Sequence, residues 1–216
     1  MKFKLIIIAV ITLIASCKGQ EKDTNNSIHK NPDAVLEIIS EALGDLDKDG
    51  IPEKVVIYNT DSVVDFGLVR ALHIYKKEAD NWKIWRKSNT AIMKSNEGGA
   101  SAEDPFQNIS IKNGILIISH QGGGGPSMWS FINKYRFQNN AFYLIGVSTE
   151  DSHYEDKTVF DYNLSTGKAI YVFYTDGVLD TKEEFNHKTK KQPKLSNMTF
   201  GKNKITTPKS KATIYF

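Results

Sequence analysis

Asp45, Asp47 and Asp49 stand two residues apart, and Gly50, Ile51 and Glu53 follow at once. In a tight loop this spacing aims three carboxylates at one point, and hard oxygen donors of that kind suit Ca2+. Gly50 permits the sharp turn; the Ile51 carbonyl and the Glu53 carboxylate fall at positions seven and nine of the loop. The expected ligand set is Asp45, Asp47, Asp49, Ile51 and Glu53, around a structural Ca2+ that neutralises the carboxylates and staples the turn. The alternative is a solvated acidic turn that binds no metal. An EF-hand would need a bidentate Glu at position twelve, where Val56 stands, and a strand-like run follows instead of a helix.

A second stretch is unusual for its glycines. His120 and Gln121 lead into Gly122, Gly123, Gly124 and Gly125, with Pro126, Ser127 and Trp129 beyond. Four glycines cost backbone entropy, so something must require them. One reading is a bulged crossover where backbone packs closely on another element. The other is a ligand-facing loop edged by His120 and Trp129. A phosphate loop does not fit, because no Gly-Lys-Ser/Thr follows. The five histidines show no metal-ligand spacing. His153 lies in an acidic run, Glu150 to Asp156, that reads either as a solvated loop or as a divalent-cation site. There is no Gly-x-Ser-x-Gly elbow, and the numerous carboxylates neither support nor exclude paired-acid hydrolysis.

Cys17 is the single cysteine, so an intramolecular disulfide framework and a multi-cysteine metal site are excluded. It follows Lys2, Lys4 and an apolar run from Leu5 to Leu13 that is too short to cross a hydrocarbon core of about 30 Å. That pattern reads as a leader with an h-region. Ile14-Ala15-Ser16-Cys17 resembles a bacterial lipobox. The resemblance implies cleavage before Cys17 and acylation, palmitate included, of its thiol and new amino group. Two or three acyl chains make a stable anchor where one would not. Lys18 stands where an inner-membrane retention signal would place Asp, so the resemblance favours the outer membrane. Gln20 to Asp23 loosely resembles the export signal of Bacteroidetes surface lipoproteins. Residues 1–16 are thus expected to be a signal peptide, 17–31 a lipidated flexible tether, and 32–216 one β-rich domain.

The acidic loop also resembles the D-x-D-x-D-G-x-x-D loops of FG-GAP and VCBS-type repeats, found in β-propeller blades. As there, Gly44 precedes it and the strand-like Val55-Val56-Ile57-Tyr58 follows. Glu53 replaces the usual ninth-position Asp, and the loop occurs once, so the resemblance covers a site of about fifteen residues and not a fold. More loosely, the order of acidic loop, Asp104-Pro105-Phe106, Asn113-Gly114, glycine run and Phe131 to Phe137 is similar to a group of uncharacterised exported bacterial β proteins. No function comes with that similarity.

The elements that must position these residues follow from turn chemistry and periodicity. Asn31-Pro32-Asp33 has the form of a helix start, and Ala34, Val35, Ile38, Ile39 and Ala42 recur at helical spacing up to Gly44. This predicts one short helix near 33–43. Beyond it the period becomes two. Lys54 to Tyr58 reads as a strand. Ala71 to Lys77 and Trp82 to Arg86 flank a turn, as do Ile109 to Ile117 around Asn113-Gly114. Phe131 to Phe137 pairs with Phe142 to Val147 across Asn139-Asn140, and Val159 to Leu164 with Lys168 to Tyr174 across Ser165-Thr166-Gly167. Further strands are expected around Met198 to Phe200 and Thr213 to Phe216. The fold class is therefore mostly β, an antiparallel meander (sandwich or propeller-blade-like) with one N-terminal helix. The many aromatics read as core and cross-strand packing, with a carbohydrate platform as the alternative.

Composition sets the outer limits. With 216 residues, 40% hydrophobic and 25% charged, the chain is ordinary globular material, which excludes whole-chain disorder. Lys2 and Lys4 lie in the leader, so the formal charge of +3 leaves the remainder nearly neutral. Phe185 to Phe216 holds lysines and no acid, which reads as guarded edge strands or as a surface for anionic partners. Nucleic acid does not suit an exported lipoprotein. The leading expectation is a non-enzymatic outer-membrane or surface lipoprotein, a binding module joined to the membrane by its lipid and to an envelope polymer or protein by its fold. The alternatives are an envelope polymer or glycan hydrolase with its cleft at Gly122–Gly125, and an inhibitor or immunity protein.

Overall fold

The computed structural model describes residues 35–100 and 104–216. The leader, Cys17, the tether and the Asn31-Pro32-Asp33 helix start lie outside the described residues. Four strands, β1 (Val35–Gly44), β2 (Glu53–Val64), β3 (Gly67–Glu78) and β4 (Asn81–Ser88), form one antiparallel sheet in chain order. Seven more form a second sheet, again in chain order: β5 (Phe106–Lys112), β6 (Ile115–Gly124), β7 (Ser127–Gln138), β8 (Ala141–His153), β9 (Asp156–Asn163), β10 (Lys168–Thr175) and β11 (Val178–Asn186). A 3-10 turn at Leu195–Asn197 and a small ribbon of β12 (Lys204–Thr206) and β13 (Thr213–Tyr215) complete the chain.

The helix expected near 33–43 is corrected to a strand from residue 35 onward. The cause is visible in the pairing. Two register shifts interrupt the β1–β2 ladder, between Val35 and Glu37 and between Ile38 and Ser40. Each extra residue breaks the period of two. Ile39 and Ala42, three apart, therefore both pack on the core, while Ile38 and Leu43 face solvent. A bulged strand so mimics helical spacing. Gly44 is not a helix stop either: a Cβ there would meet Ile111 at 2.6 Å, so the glycine lets β5 close against β1. The strand expected at Met198 to Phe200 is irregular chain between the 3-10 turn at Leu195–Asn197 and a turn at Phe200-Gly201, with Met198 fully buried.

The hairpin turns follow their chemistry. Asn113 and Gly114 both have positive φ (53° and 77°), as do Asn139 and Asn140 (48° and 59°), which is the signature of the type I′ turn. The glycine run is also a hairpin and not a crossover: Gly122, Gly123 and Gly124 pair with Trp129, Met128 and Ser127, and Gly125-Pro126 forms the loop.

One hydrophobic cluster joins both sheets. Leu46, Val55, Ile57, Leu72 and Ile74 meet Ile109, Leu116, Ile118, Tyr135, Leu144 and Phe160. Trp85 of β4 reaches Phe137 and Phe142 at centroid distances of 4.5 and 5.5 Å, and Arg86 Nη2 donates to Asn140 Oδ1 at 2.5 Å, so β4 folds over the β7–β8 turn. The segment after β11 covers the rest of the inner face with Leu195, Met198, Ile205, Ile214 and Phe216. It is held by Glu183, whose carboxylate accepts the N–H groups of Lys209 and Ser210 at 2.9 and 2.7 Å. Buried Arg70 (2% exposed) is met by both oxygens of Asp104, at 2.6 and 2.5 Å, and donates through Nε to Asn59.

Candidate functional site

The acidic loop lies between β1 and β2, and its backbone is closed by its own carboxylates. Asp45 accepts the N–H groups of Asp49 and Gly50 at 3.1 and 3.0 Å, and Asp49 Oδ1 accepts that of Ile51 at 2.8 Å. Lys48 and Gly50 take positive φ, 66° and 87°, which wraps the chain around the carboxylates. Asp45, Asp47 and Asp49 each bring an oxygen within 4.8 Å of the others, close enough to share a metal ion. Glu53 shares the Lys76 ammonium with Asp47 and Asp49, at 3.6 Å. Ile51 is half exposed, and Glu53 is buried, with Oε2 accepting the Leu46 N–H at 2.7 Å.

The loop has a resident cation that its own sequence does not reveal. Lys76, on β3, places its ammonium against Asp47, 3.1 Å from Asp49 and 3.6 Å from Glu53, and over the Trp85 ring at 4.6 Å. Burial opposes the Lys76 charge, but the hydrogen bonds to Asp47 and Asp49 outweigh it and raise its pKa. The Ile51 N–H and then Lys76 hold Asp49 below the ordinary carboxylate range. Burial raises Glu53, against the Leu46 hydrogen bond, and the neighbouring Asp47 charge adds to the rise. Asp47 Oδ1 is buried with no hydrogen-bond partner. All-oxygen donors fit a hard cation; in this structure the Lys76 ammonium takes Asp47 Oδ2 and leaves Oδ1 without a partner.

The four glycines pack within the hairpin itself, and beside it Trp129 lines a small recess of about 140 Å³ with Gln121, Met128, Ser130, Glu150 and Ser152. A Cβ on Gly122 would collide with the Trp129 ring and the Gly98 carbonyl, and one on Gly123 with the Ser127 carbonyl. Gly123 N–H donates to Gly98 O at 2.7 Å, and Gly99 sits against the Gly123 carbonyl. The glycines therefore serve close backbone approach, and the paired Gly98-Gly99 is the sequence signal for what approaches. Gly125 carries φ of +58° as the first turn residue. His120 is 1% exposed, walled by Phe106 and Phe200, and its Nε2 accepts the Met93 N–H at 3.3 Å. Burial, helped by the Arg70 charge, drops its pKa to about 3, so it is a neutral core residue. Next to the turn, Ser127 Oγ lies 2.7 Å from His153 Nδ1. This is an exposed cross-strand pair, and among the described residues no carboxylate orients the imidazole. A nucleophile would need that third group and a walled site.

A feature that the motifs do not flag lies on the outer face of the second sheet. A groove of about 700 Å³ runs over β6 to β10. Lys134 and Arg136 rise from β7 on one side, Ser148, Asp161 and Asn163 stand on the other, and Ile115, Ile145 and Ile170 supply apolar surface. Gly146 lies in the middle of the row Ile117–Lys134–Gly146–Asn163. The signal was the outward half of the alternation in β7, where Lys134 and Arg136 flank buried Tyr135.

Comparison with protein-family models, with curated proteins and with solved structures finds no match.

Proposed function

We propose that the chain is an exported lipoprotein, anchored through acylated Cys17 in the outer membrane, whose β domain is a non-enzymatic binding module for an envelope component. The observation that carries this reading is the division between the two faces of the seven-stranded sheet. The inner face is sealed by the first sheet and the C-terminal segment, and the outer face keeps an open groove lined with polar and charged side chains. We read the arrangement as a β-sandwich that presents one free face. The test is sedimentation of the purified full chain with isolated envelope fractions. Co-sedimentation with the polymer left intact supports the reading. Release of polymer fragments would move the protein to the hydrolase class, and failure to bind any envelope fraction sinks the reading.

The acidic loop belongs to the same proposal as a structural cation site. Ca2+ would enter by displacing the Lys76 ammonium, which keeps its affinity in the range of extracellular modules, about 10⁻⁴–10⁻³ M. Millimolar Ca2+ is expected to raise the melting temperature. Asp47→Ala should abolish that rise, and Lys76→Met should enlarge it because the competitor is gone. No shift in either the wild type or Lys76→Met would leave the loop a lysine-neutralised turn.

A further inference from the structure

Resting on the binding-module reading, we propose that the outer-face groove over β6 to β10 is the ligand site and that its ligand is an acidic oligosaccharide, a short glycan bearing carboxylates.

Three observations converge. The first is unspent positive charge. Lys134 has no hydrogen bond or ion pair among the described residues. Arg136 is held in place by Gln138, whose Oε1 accepts from its Nε and Nη2 at 3.1 and 2.9 Å. Nη2 reaches Ser165 Oγ at 3.4 Å, and Nη1 makes no bond among the described residues. The guanidinium is thus oriented by a neutral amide, which keeps its charge available. A planar, fixed guanidinium is suited to a carboxylate.

The second observation is Gly146. Its φ is not in the left-handed region, so the backbone there admits any residue. A Cβ would meet Lys134 Cδ at 3.3 Å and begin to fill the floor. A strand-interior glycine marks a bulge or a place of close approach, and Gly146 stands at the β7–β8 register shift, where Lys134 pairs with Gly146 and Tyr135 with Leu144. Without a side chain, Gly146 leaves room beneath the Lys134 stem at the floor of the groove, where a ligand can lie close to the strand.

The third is the chemistry of the opposite wall. Ser148 on β8, Asn163 at the end of β9, and Ser165 and Thr166 in the β9–β10 turn are short polar groups, and Asp161 accepts the Ser148 hydroxyl. Such a wall exchanges hydrogen bonds with hydroxyls, and the isoleucines can lie against the C–H face of a sugar ring. Asp161 also discriminates: its negative charge repels a dense polyanion such as a polyphosphate, but accommodates hydroxyl donors. Three cations, Lys134, Arg136 and Lys168, line the groove; Lys168 is paired with Glu184 at 3.6 Å, and the two that remain, beside hydroxyl-matching groups, describe a sugar acid. The volume lies within the range usual for small-ligand sites, about 300–1,000 Å³.

The experiment is calorimetric titration of the full chain with trigalacturonate and with its methyl ester, at low and at physiological salt. The acid should bind and the neutral ester should not, with affinity falling as salt rises. Arg136→Gln and Lys134→Gln should each weaken binding about tenfold, and Gly146→Val should abolish it by filling the floor. Unchanged melting temperatures in the lysine and arginine variants show that folding is intact. Equal binding of acid and ester, or acid binding that the variants do not alter, overturns the proposal. So does absence of acid binding by a chain that still sediments with envelope fractions, an outcome that leaves the binding-module reading standing.

Discussion

At the β1–β2 connection the charges are answered from within. Asp45 is spent on backbone N–H groups, Asp49 on Ile51 and Lys76, and Glu53 on Leu46. On the outer face of β6–β10, Lys134 is unanswered and Arg136 is steered by a neutral amide. The first region shows what charge looks like when the fold consumes it. The second shows charge that the fold positions and leaves available. Substitutions in the first kind of site should therefore cost stability, and those in the second kind should cost binding alone.

The largest effect should come from a third charge pair of the consuming kind. Asp104→Ala leaves Arg70 buried without its carboxylate. Breaking a buried pair costs about 3–5 kcal/mol; half of the Asp104 side chain stays in water, so about 3 kcal/mol is expected in urea unfolding. A loss below 1 kcal/mol would mean that Asn59 alone satisfies Arg70. Next is pH. His120 is held near pKa 3 in the fold against 6.5 in the unfolded chain. Below pH 6.5 the unfolded state takes up the proton and the folded state does not, so stability is complete above that pH and is lost as pH falls toward 3. Between pH 7.5 and 5 this amounts to about 2 kcal/mol. Replacement by Gln should flatten the slope across that window in thermal melts at matched salt; an unchanged slope would point to other groups.

A smaller effect, of opposite sign, is expected at Asn133. Its side chain is 1% exposed beside the Tyr135 hydroxyl, yet neither amide atom meets hydrogen-bond geometry. Asn133→Leu should stabilise by about 1 kcal/mol, since an unpaired buried amide costs that much or more. Destabilisation would indicate that an internal water satisfies the amide. Smallest is Lys134→Ala, which should change unfolding free energy by less than about 0.5 kcal/mol. A larger loss would place the groove on the consuming side of the comparison.

Much of the fold can be read from turns. Asn113-Gly114, Asn139-Asn140 and the Gly167 loop each join neighbouring strands, because positive φ at those positions leaves a hairpin as the economical path. Asp176-Gly177 carries the same chemistry, with φ of 48° and 72°, and introduces β11. That strand is harder to recognise because it is a sheet edge, where Asp180, Lys182 and Glu184 replace apolar alternation. β1 defeats pattern reading for a different reason: its bulges convert period two into apparent helical spacing. The acidic loop is legible as a cluster, since its members are neighbours in sequence. Lys76 is not, because the β2–β3 pairing that delivers it is a tertiary fact. The groove is equally hidden, being assembled from the outward residues of several strands.

Both sheets pair every strand with its neighbour in the chain. Short turns make each closure entropically inexpensive, so either sheet can zip from many starting points. The β1–β5 seam and the return of the C-terminal segment onto the inner face depend on long connections instead. Hydrogen–deuterium pulse labelling during refolding should protect β6–β8 amides before those of β12 and β13. Simultaneous protection would mean that the covering segment takes part in the rate-limiting step. An uncovered seven-stranded intermediate would expose a wide apolar surface for as long as the last segment lags, so its lifetime sets how vulnerable the chain is to self-association while it folds.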